Sequence, residues 1–314
     1  MSSDVVHLGD LLRRHELHLK KRLGQNFLAD PVHLDRIVSA AELCLDDVVL
    51  EIGPGVGTLT ARLARQAGRV VAVELDAGLL PALHETLAAY SNVTIIQGDI
   101  LKLDPVQLVS LAAYSAETAT LDGIDNSQFT IDNSQFKVVA NLPYYITSAA
   151  IRHLLSASVR PELIVLTVQR EVAQRIIAKP PEMSLLAVSV QLFAQPEIVA
   201  RIPAGAFYPP PKVDSAILRL RPWQHPPVEF PSEDLFFEVV RAGFGQRRKQ
   251  LRNSLKSGLS MPAERVEAAL QAAGIAPERR AETLTLAEWA RLTSHLTSEV
   301  FRDLGGLSAT QSET

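Results

Sequence analysis

Between about Asp46 and Leu220, short apolar runs alternate with stretches of helical periodicity. Val48–Ile52, Val70–Glu74, Val93–Gln97, Lys137–Ala140 and Leu163–Val168 read as five strands, apolar on both faces. Helical patterns start near Thr58 and run over Ala77–Ala89, Ser148–Ser156 and Arg170–Ala178. Buried strands separated by helices predict a mostly parallel sheet covered on both sides. Leu185–Phe193, Glu197–Ile202 and Ala216–Leu220 are expected as edge strands. After Pro222 the strand pattern stops, and Phe236–Ala242, Gln246–Ser257, Ala263–Ala272 and Leu286–Leu296 read as helices. Pro222, Pro226 and Pro227 mark a boundary, giving a Rossmann-like α/β domain over 1–222 and a small all-α domain over 223–314 with a disordered tail. Within the first, IDNSQFT (124–130) is followed directly by IDNSQFK (131–137). Two copies cannot stack into a solenoid, so 110–136 reads as a surface-loop insertion.

Composition narrows the class. The chain has 314 residues, 47% hydrophobic and 21% charged, which suits two globular domains. A single cysteine, Cys44, excludes a disulfide framework or thiolate metal cluster. His15 and His18 have no further ligands beside them, so no metal is expected. The longest apolar run, Leu185–Ala194, is interrupted by Ser189 and Gln191, and Met1–Leu12 lacks the apolar core of a signal peptide. These features predict a soluble, cytoplasmic protein.

Net charge is −4, which on average argues against a nucleic-acid partner. The distribution argues otherwise. Residues 13–22 carry +4 and residues 238–256 carry +5, leaving −13 on the remainder. Arg248, Arg252 and Lys256 recur every four residues, which predicts a basic helix face widened by Arg247 and Lys249. Lys212 adds a cation in the proline-rich loop 209–211. Such side chains position RNA through its phosphates without reading sequence.

Three strand ends carry candidate chemistry. Glu51-Ile-Gly53-Pro-Gly55-Val-Gly57 lies between a strand and a helix, where glycine permits positive φ and close ligand approach. Glu74 ends the next strand, 21 residues after Gly53, the place from which a carboxylate reaches ribose hydroxyls. Asp99 closes the third strand, suited to accept from an adenine amino group. The turn is G-x-G-x-G rather than the dinucleotide G-x-G-x-x-G, and it lacks the Walker lysine. Glu51 would repel a pyrophosphate but suit a cationic methionine moiety. S-Adenosylmethionine is the expected ligand.

Asn141-Leu142-Pro143-Tyr144 follows the fourth strand. The N6 lone pair of adenine is conjugated into the ring and is a poor nucleophile. Acceptance of both N6 hydrogens, by the Asn141 side-chain oxygen and the Leu142 carbonyl, would turn that lone pair out of the ring plane. Tyr144 can stack on a base that has been unstacked to reach the site.

Together with Gly24-Gln25-Asn26-Phe27-Leu28, Phe207–Ser215 and the helix after Gln246, these motifs resemble the ribosomal RNA adenine dimethyltransferases, most closely the bacterial small-subunit methyltransferase A family. The match spans roughly residues 20–256 in the family's order. The resemblance implies a class I S-adenosylmethionine-dependent methyltransferase fold with a small helical C-terminal domain. It implies transfer of four methyl groups to two adjacent adenosines in the 3′-terminal hairpin of 16S rRNA, in the small ribosomal subunit or its precursor, by a monomer. Residue by residue, it places donor contacts on Asn26, Leu28, Gly53, Glu74, Asp99 and Asn141. The acceptor pocket falls on Asn141, Leu142, Tyr144 and Phe207, with Tyr144 and Phe207 flanking the base. Asp99 and Asn141 stand 42 residues apart, about twenty more than the family spacing, and the insertion accounts for the excess. Two other readings stay open: a 23S rRNA adenine methyltransferase conferring antibiotic resistance, and a non-catalytic RNA-binding assembly factor.

Overall fold

The computed structural model describes residues 8–15, 17, 24–111, 136–246 and 248–306. Residues 124–135 of the repeat, all but the ends of the 110–136 insertion, Arg247 and the polar tail from 307 lie outside the described residues. The chain divides into two compact units. Unit 1 comprises Met1–Ala173 and Ala194–Pro222, and unit 2 comprises Gln174–Phe193 and Trp223–Thr314. Segment Gln174–Phe193, read from the sequence as part of the first domain, clusters instead with the helices of the second.

Among the described residues, unit 1 contains nine strands: β1 (Phe27–Leu28), β2 (Val48–Ile52), β3 (Arg69–Glu74), β4 (Val93–Gln97), β5 (Phe136–Asn141), β6 (Leu163–Gln169), β7 (Ala194–Ile202), β8 (Phe207–Tyr208) and β9 (Ser215–Pro222). Its helices are α1 (Leu8–Arg14), α2 (Pro31–Ala40), α3 (Thr60–Leu63), α4 (Leu80–Leu87), α5 (Pro105–Leu111) and α6 (Thr147–Leu155). Helix α7 (Arg170–Ile177) carries the chain into unit 2. Seven strands form one sheet in the order β4-β3-β2-β5-β6-β9-β7. All neighbours from β4 to β6 are parallel, and β9 pairs antiparallel with both β6 and β7. The apolar runs become the central strands because both faces are covered: Val49, Leu50, Val70, Val71, Val138 and Val139 are completely buried. Lys137, near the start of β5, is a buried cation within these strands. Its ammonium donates to the Glu42 carbonyl at 2.6 Å and pairs with Asp47 at 2.9 Å, so the buried charge is compensated.

Strand order reverses between β2 and β5. From β2 the chain proceeds outward through β3 and β4, then returns to β5 on the other side. A crevice opens at such a switch point, outside the carboxyl ends of the strands.

Unit 2 contains α8 (Leu185–Gln191), α9 (Glu233–Phe244), α10 (Leu251–Gly258), α11 (Ala263–Ala272) and α12 (Leu286–Gly306). Trp289 is fully buried in it, and Gly243 is tight against the indole: a Cβ there would lie 2.4 Å from the ring. Two expectations fail here. The run Leu185–Phe193 is not an edge strand but helix α8 and the turn after it. Short apolar runs do not distinguish a strand from a buried helix. Ser184 decides it by accepting from the Ala187 N–H, and the Ser189 hydroxyl bonds the Leu185 carbonyl one turn back. The second basic helix also starts late. Gln250 is extended and forms the cap, so Arg248 and Lys249 occupy the preceding turn, and only Arg252 and Lys256 lie on α10. Among the described residues, no helix is long and apolar enough to cross a membrane.

Candidate functional site

The crevice at the switch point is a cavity lined by the ends of β2, β3, β4 and β5 and by the segment preceding β1. Gly53, directly after β2, has φ +71°, and a Cβ built there would meet no atom within 4 Å. Its backbone therefore faces open space that a ligand can approach. Gly55, at φ +62°, is covered by Phe27: a Cβ there would come within 2.6 Å of the ring. These two glycines make one wall of bare backbone, and positive φ makes side chains costly at both. Gly53→Ala is expected to fold with a loss of about 1–2 kcal/mol from the left-handed backbone. Because the new methyl projects into the cavity, ligand affinity should fall far more than the melting temperature does, as calorimetry against thermal unfolding would show.

Glu74, at the end of the adjacent strand β3, orders the next part of the wall. One carboxylate oxygen accepts from the Gly55 N–H at 3.0 Å and the other from the Asp76 N–H at 2.8 Å. Each oxygen keeps a second acceptor site, enough for a pair of vicinal hydroxyls. Burial pushes the Glu74 carboxyl above the usual carboxylate range, against the pull of these backbone N–H groups. Asp99 uses one oxygen to accept from the Leu101 N–H at 3.1 Å, while its other oxygen lies 4.0 Å from the Lys102 ammonium. The cavity therefore presents open backbone and two carboxylates with acceptor capacity to spare.

Asn141 ends β5 beside this cavity. Its amide nitrogen donates to the Asn26 carbonyl at 3.0 Å. Only the nitrogen can make that bond, so the orientation of the amide is settled and Oδ1 is left as an acceptor. The same bond ties the N-terminal segment to β5. A second tie is the Gln25 amide, which donates to Asp76 at 3.0 Å. The third is pairing of β1 with β8, Phe27 opposite Tyr208 and Leu28 opposite Phe207. Leu142 is buried on the cavity wall, and the half-buried Tyr144 is held by a 2.7 Å hydrogen bond between its hydroxyl and that of Ser215. Desolvation raises the Tyr144 phenol above its ordinary value, so it stays neutral.

The cavity brings together Asn26, Gly53, Glu74, Asp99, Asn141, Leu142, Tyr144 and Phe207. Leu28 does not join them: its side chain packs in the core with Leu34, Ile37 and Phe207. Its place is fixed by backbone pairing, because the next residue in a strand points to the opposite face. Phe207 touches the cavity but is only 4% exposed and belongs to that core, so it is a wall rather than an open platform. Glu51 also departs from expectation. It is 1% exposed, off the cavity wall, and burial raises its carboxyl to about 8, so it is neutral behind the site rather than an anion facing a cation. Arg248, Lys249, Arg252 and Lys212 are exposed, and Arg252 is paired with Glu267 at 3.0 Å. In the N-terminal basic segment, Arg14 pairs with Glu85. Sequence reasoning missed the roles of Ser215 and Asp76. Ser215 ends a segment already singled out and Asp76 lies two residues after Glu74, but the Tyr144 and Gln25 side chains that they hold lie far away in the chain.

A seven-stranded sheet with this reversal, and a cavity at its carboxyl rim beside an asparagine-ended strand, define a class I, Rossmann-like methyltransferase fold. The chain belongs to the ribosomal RNA adenine dimethylase family, whose model matches residues 16–298. It is 45% identical over 300 residues to the ribosomal RNA small subunit methyltransferase A of Pelotomaculum thermopropionicum, covering 95% of this chain and 96% of that one. The protein of the same name from Dehalococcoides mccartyi strain 195 is 44% identical over 283 residues, 90% of each chain. Among solved structures, the 23S rRNA methyltransferase ErmE superposes with a TM-score of 0.65 at 30% identity, covering 87% of this chain and all of ErmE. A Plasmodium falciparum dimethyladenosine transferase gives 0.66 at 25% identity, covering 87% and 98%.

Proposed function

We propose that this chain transfers methyl groups from S-adenosylmethionine to N6 of two adjacent adenosines in the 3′-terminal hairpin of 16S rRNA, two to each base. It acts as a monomer in the cytoplasm, on the small subunit or its precursor. When bound, the donor supplies an electrophilic methyl group on a sulfonium. Glu74 would hold its ribose, Asp99 its adenine amino group, and the Gly53 backbone would lie along it with Asn26 over it.

The observation that carries the reading is the Asn141 amide. With Nδ2 committed to Asn26, Oδ1 accepts one N6 hydrogen, and the Leu142 carbonyl accepts the other. That pair of acceptors rotates the amine lone pair out of conjugation and aims it at the methyl group. Tyr144, braced by Ser215, stacks on the base with Phe207 closing the wall behind it. No strong base is needed, since the methylated amine is cationic and gives its proton to water.

Purified protein, labelled donor and undermethylated 30S subunits are expected to yield N6-dimethyladenosine in 16S rRNA. Label confined to 23S rRNA would overturn the choice of substrate in favour of the resistance-type activity. Absence of donor binding in calorimetry would favour a non-catalytic assembly factor.

RNA contact by the helical unit falls to Arg248, Lys249 and Arg252, with Arg247 as the fourth member of that run, and Lys212 serves from the methyltransferase unit. Arg248→Ala with Lys249→Ala should weaken RNA binding and flatten its salt dependence by up to about 0.9 for each phosphate no longer neutralised. Arg252→Ala should do less, because its guanidinium is already engaged by Glu267. An unchanged salt slope in the double variant would remove these residues from the interface.

A further inference from the structure

Tyr144 and Tyr145 are neighbours with opposite circumstances. Tyr144 is half-buried and anchored to Ser215, whereas Tyr145 lines the same cavity yet is 60% exposed. Among the described residues its hydroxyl makes no hydrogen bond. The ring is nevertheless supported. Gly24, at φ +58°, lies against it, so that a Cβ there would be 3.5 Å from Cδ1 of Tyr145 and 3.7 Å from Cβ of Pro143. The ring is thus backed by the N-terminal segment and placed at the cavity wall, and most of its surface is still open to solvent.

We propose that Tyr145 is the stacking platform for the nucleotide next to the base being methylated. Drawing a base into the cavity removes a stacking partner from its neighbour. A supported ring at the wall replaces that partner, because any base can stack its face on an aromatic side chain. The contact uses the face of the ring and requires no hydroxyl. This inference rests on the proposed function, where the acceptors are adjacent adenosines. The occupant is then the other adenosine of the pair, and the two bases exchange places between rounds.

The test uses undermethylated 30S subunits reconstituted with 16S rRNA carrying 2-aminopurine at one of the two positions. Wild type should quench the fluorophore by stacking, Tyr145→Phe should quench it equally, and Tyr145→Ala should leave it bright. With unmodified subunits, Tyr145→Ala should raise KM for the particle about tenfold, with kcat and donor affinity held within twofold. Equal quenching by wild type and the alanine variant would overturn the proposal, as would an unchanged KM. So would a phenylalanine variant that behaves like alanine, or a parallel loss of donor affinity. The quenching contrast is read at equilibrium without turnover, so it decides the stacking role separately from label transfer, which tests the reaction itself.

Discussion

Asn141→Ala is expected to lower the rate of methyl transfer by about 10²–10³-fold, the range seen when one preorganised hydrogen-bonding group is removed from a reacting centre. The side chain has two duties, and they separate. Oδ1 orients the acceptor amine, so its loss falls on the chemical step. Nδ2 holds the Asn26 carbonyl, so its loss loosens the segment that covers the donor, a neutral hydrogen bond worth about 1 kcal/mol and therefore a several-fold loss of donor affinity. Asn141→Asp divides the two duties: an ionised carboxylate keeps the acceptors but has no N–H for Asn26. The aspartate variant should recover part of the single-turnover rate and none of the donor affinity. Single-turnover transfer and donor titration on the three proteins provide the check. Full activity in the alanine variant would take Asn141 out of the mechanism.

The central sheet was legible because its strands are buried on both faces and their short apolar runs, such as Val70–Val73 and Leu163–Val168, are rich in β-branched residues. The carboxylates at strand ends were legible for a related reason: a parallel sheet places every carboxyl end on one rim, and Glu74 and Asp99 must then converge. What could not be read were pairings across the chain. Asn26 and Asn141 are separated by 115 residues, and Tyr144 and Ser215 by 71. No local pattern says that these side chains meet, or which end of an amide faces the substrate. Leu28 shows a different limit, since a motif does not say that its side chain turns into the core. Charge periodicity also overreached at Gln246–Lys256, where a cap at Gln250 moved Arg248 off the helix. Periodicity describes a helix only where a helix exists.

Glu51 yields the second large effect, in stability. The carboxyl is buried behind the glycine wall, with Oε2 making no hydrogen bond, and Thr60 Oγ1 is buried in the same condition. Desolvation is the main cause of its rise to about 8. The nearby Glu74 adds to the shift, and the Thr60 hydroxyl opposes it without forming a hydrogen bond of ordinary geometry. In the unfolded chain the group titrates near 4.5. Between those values the folded state holds a proton that the unfolded state lacks, so unfolding releases it and stability declines as pH rises. The slope for one proton is about 1.4 kcal/mol per pH unit. Below the unfolded value both states are protonated and the contribution is flat. Lowered carboxylates such as Glu42 and Glu288 act in the other direction and only at acid pH. Subtracting a non-titrating isostere isolates the effect. Glu51→Gln should therefore gain on wild type steadily from about pH 5 to pH 8, a difference of several kcal/mol if the full slope is realised. Urea unfolding of both proteins across that range is the measurement. A stability difference that stays constant with pH would mean that the Glu51 carboxyl ionises in the folded protein as it does in water, and that water or a cation reaches the back of the glycine wall.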